Sequence, residues 1–205
     1  MMSASKPAQP SASQGDRPAY RALTIIRLRG TQNLNPKTKD TLKYMRLNRV
    51  NHAVVLPESD TTKGMLQVAK DYVTWGEVDA KTLAAVIRAR GRLVGDNPIT
   101  DAHVAKHTPF KTIDALAEAV VAGKASYKDV PDVKPLFRLH PARHGLEGIK
   151  RSVQAGGALG YRGPEINKLL GRMLGVADEV GQAAHRAAHA EKQAAGKAAP
   201  KKEAA

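Results

Sequence analysis

The sequence predicts an α+β fold, a split β-α-β sandwich with an added helical insertion and a basic C-terminal extension. Three observations lead to this prediction. Short β-branched runs alternate with amphipathic segments early in the chain, further segments with helical periodicity follow, and basic residues are concentrated in two blocks. The chain has 205 residues and 42% hydrophobic content, which is enough to build a core.

The first three elements follow from local patterns. Ala22–Arg29 is short and β-branched and ends before Gly30, which is typical of a strand. Asn35 suits an N-cap and Pro36 a first helical turn, so a helix is expected over 36–47. This helix should direct Leu42 and Met45 inward, and Lys39, Lys43 and Arg46 outward. His52–Leu56 is a second strand, stopped by Pro57.

A second helix and a third strand complete the first module. Residues 62–73 carry apolar residues at helical spacing, and these predict one buried stripe: Met65, Val68, Ala69, Tyr72 and Val73. Val73–Val78 is a candidate third strand. The resulting β-α-β-α-β order is that of a ferredoxin-like split sandwich.

The rest of the chain is mainly helical. Asp79, Thr100 and Thr112 are candidate N-caps for helices over 80–90, up to Val104, and over 113–122. These helices should bury Leu83, Ala84, Ile87, Ile113, Leu116, Ala117, Val120 and Val121. A last helix begins at Pro164 and presents Ile166, Leu169, Leu170, Met173 and Leu174.

The segment between these helices contains few core residues. Pro135 and Pro141 bracket a candidate strand, and a stretch rich in glycine and basic residues runs from Ala142 to Gly163. We expect Arg138 to Arg162 to be mobile in the free protein, because little apolar surface there offsets the entropy of ordering the backbone.

These patterns divide the chain into five parts. The expected parts are a disordered N-terminal arm at 1–18, the β-α-β-α-β core module at 19–78, a helical extension at 79–133, a basic RNA-binding extension with the last helix at 134–175, and an Ala/Lys-rich tail at 176–205.

Composition narrows the function classes. Cysteine is absent, which excludes disulfides, thiol nucleophiles and cysteine-ligated zinc. Aromatic residues make up only 4%, which argues against stacking platforms for single strands. No apolar run approaches the roughly 20 residues that span a bilayer, and the N-terminus lacks the apolar region of a secretory signal. We therefore expect a soluble intracellular protein.

The positive charge is segregated. The chain has 33 Lys/Arg against 19 Asp/Glu, for a net charge of +14. Residues 19–56 hold eight basic residues and one acidic residue, and residues 134–175 hold eight basic and two acidic residues. Residues 57–133, which lie between these blocks, hold ten basic and eleven acidic residues. Because a charge that serves only solubility has no reason to segregate, the two basic blocks indicate a polyanionic partner.

The catalytic patterns are weak. Arg143-His144-Gly145 resembles the signature of the histidine phosphatases, in which histidine takes a phosphoryl group, but no acidic proton donor accompanies it. The pairs His103–His107 and His185–His189 each lack a third metal ligand nearby. A glycine cluster at 156–163 does not follow the spacing of a dinucleotide site. We expect no catalytic residue, no metal and no cofactor.

Two longer segments resemble a known family. The strand and helix from Val54 to Met65 carry a PE…KGM pattern, and Leu139 to Lys150 carries an LHP-x-R-x-G pattern. Together with the first strand they resemble the large-subunit ribosomal protein family numbered thirty, in its archaeal form, which is related to the eukaryotic large-subunit protein numbered seven. The resemblance covers about 20–174. It implies a structural, non-enzymatic protein of the large ribosomal subunit in the cytoplasm, which binds ribosomal RNA and contacts neighbouring ribosomal proteins.

The residue patterns provide candidate RNA contacts. Arginine pairs with phosphate in a bidentate fork, and glycine lets a backbone approach a phosphate closely. The first candidate surface comprises Lys37, Lys39, Lys43, Arg46, Arg49 and His52. The second comprises Arg138, His140, Arg143, His144, Lys150, Arg151, Tyr161 and Arg162. Arg27, Arg29 and Lys63 are further candidates, and Lys63 could share a phosphate with a helix N-terminus.

Two other functions remain open at this point. One is a non-ribosomal RNA-binding module, such as an RNA chaperone or a nucleoid protein, and the other is a phosphoryl-transfer enzyme centred on His144. A membrane and a small-molecule substrate are not expected as partners.

Overall fold

A computed structural model describes residues 21–32 and 34–174. Its strands are β1 (Ala22–Arg27), β2 (His52–Pro57), β3 (Val73–Glu77), β4 (Phe137–Arg138) and β5 (Gly160–Tyr161). Its helices are α1 (Pro36–Tyr44), α2 (Asp60–Ala69), α3 (Ala80–Arg90), α4 (Asp101–His107), α5 (Ile113–Val121) and α6 (Ile166–Leu174). The α+β class is therefore confirmed, and its first five elements follow the predicted β-α-β-α-β order.

The strands form one mixed sheet in the order β4-β2-β1-β3-β5. β1 is central and pairs antiparallel with both β2 and β3. β2 and β3 thus run in the same direction on either side of β1, which is the split β-α-β arrangement. β4 pairs antiparallel with β2, whereas β5 pairs parallel with β3.

One face of the sheet packs against α1 and α2. Side chains alternate between the faces of a strand, and Leu23 and Ile25 of β1 point to this side. They pack with Leu42 from α1 and Leu66 from α2. The inward positions predicted for Leu42 and Met45 are confirmed, since both are buried.

The other face of the sheet is covered by the later helices. Ala22 and Ile26 of β1 share a core cluster with Leu83 of α3, Leu116 of α5 and Leu169 of α6. A β-α-β-α-β module puts both of its helices on one face, so in this chain Ala22, Ile26 and Ala53 on the second face would be uncovered without the later helices. The segment after β3 therefore completes the core of the sheet.

Most of the predicted helix starts are confirmed by capping bonds. The side chain of Asn35 accepts from the backbone N–H of Lys37, and those of Thr100 and Thr112 accept from His103 and Ala115. Asp79 occupies the N-cap position of α3, but its side chain makes no capping bond. α4 runs three residues past the predicted Val104.

The predicted stripe on the second helix is partly wrong. Ser59 caps α2 through the backbone N–H of Thr62, so the helix begins earlier than predicted. It ends at Ala69, and Val73 already belongs to β3. Leu66 is the buried large side chain of the helix, at 2% exposure, whereas Met65 is only half-buried.

Other boundaries also differ from the predictions. α1 ends at Tyr44 rather than at residue 47, because Arg46 adopts a left-handed conformation with φ of 61°. The candidate strand between Pro135 and Pro141 is reduced to Phe137–Arg138. β5 was not predicted, and Gly76 permits the chain after β5 to lie against β3, because a Cβ at Gly76 would collide with the carbonyl of Gly163.

Some predictions lie outside the described residues. These are the disordered arm at 1–18, the tail at 176–205 and the histidine pair His185–His189. Within the described residues, no helix has the length and apolar character needed to cross a membrane.

Candidate nucleic-acid interface

Three basic side chains form a row across adjacent strands at one end of the sheet. His52 and Arg138 are register partners on β2 and β4. Ile26 of β1 pairs with Ala53 of β2, and because the two strands are antiparallel, the next residue of β1, Arg27, lies opposite His52. Cross-strand partners share a face, and this row lies on the face covered by α1 and α2. We call Arg27, His52 and Arg138 the cationic row; it joins residues from both candidate RNA surfaces.

Arg27 is the buried end of the cationic row, and its prediction as an RNA contact is wrong. Its relative exposure is 1%, so no external phosphate can reach it. Its Nη1 donates to the carbonyl of Leu47 at 2.7 Å, and its Nε donates to the carbonyl of Arg29 at 2.8 Å. Burial lowers the pKa of its guanidinium, which remains charged because arginine is not deprotonated in proteins. Arg27 thus ties together the loops on either side of α1.

The loop after α1 has a constrained backbone. Arg46 and Asn51 both have positive φ, 61° and 64°. The backbone N–H of Asn51 donates to the carbonyl of Arg27 at 2.8 Å, so Arg27 contacts this loop through both its main chain and its side chain. The loop holds the exposed Arg46 and Arg49 beside the cationic row.

His52 occupies the middle of the cationic row and is half-buried. Burial, followed by the positive charges of Arg138, Arg49 and Arg27, lowers the pKa of its imidazole; a hydrogen bond with the backbone of Arg46 acts in the opposite direction. The neutral ring is therefore favoured in the free protein. An anion placed beside the row would reverse this balance, because it would stabilise the imidazolium.

The exposed side of α1 has a net positive charge, as its helical pattern predicts, although Asp40 is exposed there too. Three lysines project from it, and all are exposed: Lys37, Lys39 and Lys43. Tyr44, which was not among the predicted contacts, is 80% exposed at the end of the same helix. The exposure of Tyr44 could have been inferred from the outward position of Lys43. When the buried stripe of a helix is narrow, the residue that follows an outward-facing residue at the helix end is also exposed.

Arg29 and Lys63 have partners within the protein. The Nη1 of Arg29 donates to the carbonyl of Asp71 at 3.1 Å, and its guanidinium lies 5.0 Å from the ring centre of Tyr72. Lys63, the fourth residue of α2, lies 3.2 Å from a carboxylate oxygen of Glu58. Glu58 would therefore compete with any phosphate for the ammonium group of Lys63.

The second candidate surface is divided in two. Arg138 lies on β4 and Tyr161 on β5, which are the opposite edges of the sheet. Four interstrand steps separate these edges, a distance of about 19 Å. Grouping these residues as one surface was therefore wrong, because the sequence did not reveal that β5 crosses to the far side of β3.

At the β4 edge, the candidate residues extend the cationic row. Arg138 lies 3.3 Å from Asp96, which also pairs with Lys134 at 2.7 Å. These two cations lower the pKa of the Asp96 carboxyl. Beyond β4, His140, Arg143 and His144 are exposed. The backbone N–H groups of His140 and Arg143 donate to carbonyls of Met173 and Arg172, and this attaches the segment to α6.

At the β5 edge, the candidate residues have partners within the protein. The hydroxyl of Tyr161 donates to Glu77 at 2.7 Å, and the half-buried Arg162 donates to the carbonyl of Ala158 at 3.4 Å. Lys150 and Arg151 are exposed on the preceding turn. Both ends of 138–162 are thus hydrogen-bonded to the core, and Leu139, Ala158 and Leu159 are buried in it, so the segment contributes more to the core than expected. The expected mobility can concern only the exposed turns between these residues, and it stays a prediction.

The phosphatase pattern lies on an exposed turn. Arg143, His144 and Gly145 are exposed, and His144 and Gly145 both have positive φ. Histidine phosphoryl transfer requires a preorganised pocket, and an exposed turn does not provide one. Within the described residues, no three potential metal ligands cluster together; His103 and His107 form a ring pair 4.6 Å apart.

Comparison with known proteins gives one consistent result. Residues 23–73 match the family model described as ribosomal protein L30p/L7e. A protein of Methanobrevibacter smithii named large ribosomal subunit protein uL30 is 51% identical over 150 residues, covering 73% of this chain and 98% of the relative. Proteins of the same name from Archaeoglobus fulgidus and Methanoculleus marisnigri are 51% and 48% identical over 149 residues, covering 73% of this chain and 97% of each relative.

Proposed function

The chain belongs to the ribosomal protein L30p/L7e family, and from this membership we propose that it is a structural constituent of the large ribosomal subunit and binds ribosomal RNA. Its archaeal relatives carry the name of a large-subunit protein. We assign it no enzymatic activity and no cofactor. Its place is on the ribosome in the cytoplasm, with ribosomal RNA and neighbouring ribosomal proteins as partners.

The observation that carries the RNA-binding proposal is the continuity of positive charge around one end of the sheet. The exposed lysines of α1, the loop with Arg46 and Arg49, and the exposed part of the cationic row follow one another there. A-form RNA presents phosphates and 2′-hydroxyls rather than readable base edges, so a surface with fixed, closely spaced cations suits it.

Roles within this surface follow from exposure. Lys37, Lys39, Lys43, Arg46 and Arg49 are proposed to contact phosphates. His52 and Arg138 contribute where the row reaches the surface. Tyr44 offers an exposed ring beside Lys43, suited to stacking on an unpaired base.

The two later segments serve both the fold and the binding. Residues 79–133 are proposed to complete the core as a helical extension. Residues 134–174 add the strands at both edges of the sheet, α6 and the exposed basic turns around His144 and Lys150. We propose that these turns reach RNA outside the surface formed by α1.

A matched pair of charge reversals tests the RNA-binding surface. Lys43→Glu combined with Arg46→Glu should weaken binding to a large-subunit RNA transcript and reduce the slope of log affinity against log salt by about two. The control combines Lys81→Glu on α3 with Lys106→Glu on α4, both exposed, and changes the net charge equally. Equal losses of affinity in both double variants would mean that only the net charge matters, and the proposed surface would be wrong.

A further inference from the structure

A cleft of about 330 Å³ lies on the α2 side of the sheet, towards the β5 edge. Leu23 of β1 and Leu66 of α2 form part of its apolar lining, and Trp75 of β3 contributes a half-buried indole. Tyr161 and Glu77 also line the cleft. Its volume is at the small end of ligand sites, so it suits a single side chain better than a cofactor.

The carboxylate of Glu77 is incompletely satisfied. Its Oε1 accepts from the hydroxyl of Tyr161 at 2.7 Å, while its Oε2 is buried with no hydrogen-bond partner among the described residues. No ion pair in the described chain involves Glu77; the nearby Lys63 pairs with Glu58 instead. A half-buried carboxylate whose only partner is a neutral hydroxyl gains more from an incoming cation than an exposed, paired one does.

Other charges surround the cleft. Glu58 and Lys63 line it and neutralise one another, and Arg21 lies close enough to influence Tyr161. The hydrogen bond to Glu77 raises the pKa of Tyr161, so the hydroxyl remains a donor. In the described part of the chain, two carboxylates line the cleft. Glu58 forms an ion pair with Lys63, whereas Glu77 forms no ion pair with any described residue.

We propose that this cleft binds an arginine side chain from a protein partner. A guanidinium is planar, so it can lie on the indole face of Trp75 while its N–H groups face the carboxylate of Glu77. RNA is the less suitable occupant, because the carboxylates repel phosphate and the cationic row lies towards the opposite edge of the sheet. This proposal does not depend on the RNA-binding surface.

The single tryptophan of the chain makes the cleft observable, since Trp75 is the only source of indole fluorescence. The full-length protein is titrated with arginine blocked at both ends as N-acetyl-arginine amide. A saturable change in Trp75 emission is expected, whereas the neutral isostere N-acetyl-citrulline amide should leave the emission unchanged. Higher salt should weaken the arginine binding, because it screens the attraction to Glu77.

The variant Glu77→Gln should weaken the binding of blocked arginine about tenfold. The matched control, Glu118→Gln, lies exposed on α5 against the other face of the sheet and should have no effect. Both variants should bind large-subunit RNA as the wild type does, which separates this site from the RNA-binding surface.

Three results would overturn the proposal. The first is a Trp75 emission that does not change when blocked arginine is added, and the second is an equal change with blocked citrulline. The third is displacement of bound blocked arginine by guanosine monophosphate or spermidine at concentrations lower than those at which blocked arginine itself binds. The salt dependence of the wild type is measured in any case, so the proposal can be judged even if Glu77→Gln fails to fold.

Discussion

Arg27 joins the two loops that flank α1. It is 1% exposed, and its guanidinium donates to the backbone carbonyls of Arg29 and Leu47. The period of two along β1 places Arg27 on the face of Leu23 and Ile25, which indicates burial, but this period does not show which groups satisfy its charge. Only the folded positions of Arg29 and Leu47 provide those acceptors, so no local pattern could reveal the role.

The first prediction separates support of the RNA-binding loop from RNA contact. Arg27→Met should destabilise the protein by about 1–3 kcal/mol, because a buried carbonyl and a partly buried carbonyl lose their donors. It should also weaken RNA binding through the loosened loop. Arg49→Gln is exposed and should weaken RNA binding while changing stability by less than about 0.5 kcal/mol. Chemical denaturation and RNA titration of both variants measure this. An unchanged stability in Arg27→Met would contradict the supporting role.

The second prediction concerns the protonation of His52. Its pKa is lowered in the folded state, so the folded protein binds the proton less well than the unfolded chain. This contribution to stability is complete above the unfolded pKa of about 6.5 and is lost as the pH falls below it. His52→Gln should remove that part of the pH dependence.

The same titration reports on RNA. A phosphate beside the cationic row should raise the pKa of His52, so RNA binding should take up a proton and strengthen between pH 7 and pH 6. Histidine NMR titrations of the free and RNA-bound protein measure this. A pKa that RNA leaves unchanged would remove His52 from the interface.

At the scale of elements, the helical stripe of α2 shows what periodicity leaves open. Because Met65, Leu66, Val68 and Ala69 are close together in sequence, several rotations of the helix about its axis, here called registers, would bury an apolar stripe. The cap at Ser59 and the start of β3 at Val73 select the register that buries Leu66. β5 could not be predicted either, since a two-residue strand is defined by its pairing with β3 rather than by its own composition.

The third prediction tests this register. Leu66→Ala should cost about 2–5 kcal/mol, because it removes a fully buried side chain beside Leu23 and Ile25. Met65→Ala should cost clearly less, since Met65 is only half-buried. Urea denaturation compares the two directly. A larger loss for Met65→Ala would restore the stripe expected from the sequence alone.

At the scale of the whole molecule, the core module and the helical extension predicted from the sequence are not independent of each other, because they share one core. The first module would leave Ala22, Ile26 and Ala53 exposed on one sheet face, and these residues pack with the core of the later helices. The order and capping of the helices could be predicted locally. Their packing onto the open face could not, because it depends on contacts distant in sequence.

The fourth prediction follows from that shared core. A fragment comprising 1–78 should fail to unfold cooperatively, because one apolar face of its sheet has no cover. A fragment comprising 1–174 should unfold in a single transition like the full chain. Calorimetry of both fragments measures this. A sharp transition in the shorter fragment would mean that the β-α-β-α-β module is a separate folding unit.

The most direct test of the central claim is sedimentation of ribosomes from cells that produce the tagged chain. The protein should sediment with the large subunit after a moderate salt wash, and ultraviolet crosslinking should connect α1 and the Arg46–Asn51 loop to large-subunit ribosomal RNA. Recovery of the protein free of ribosomal particles, or crosslinks only to other RNAs, would contradict the claim and favour a non-ribosomal RNA-binding protein.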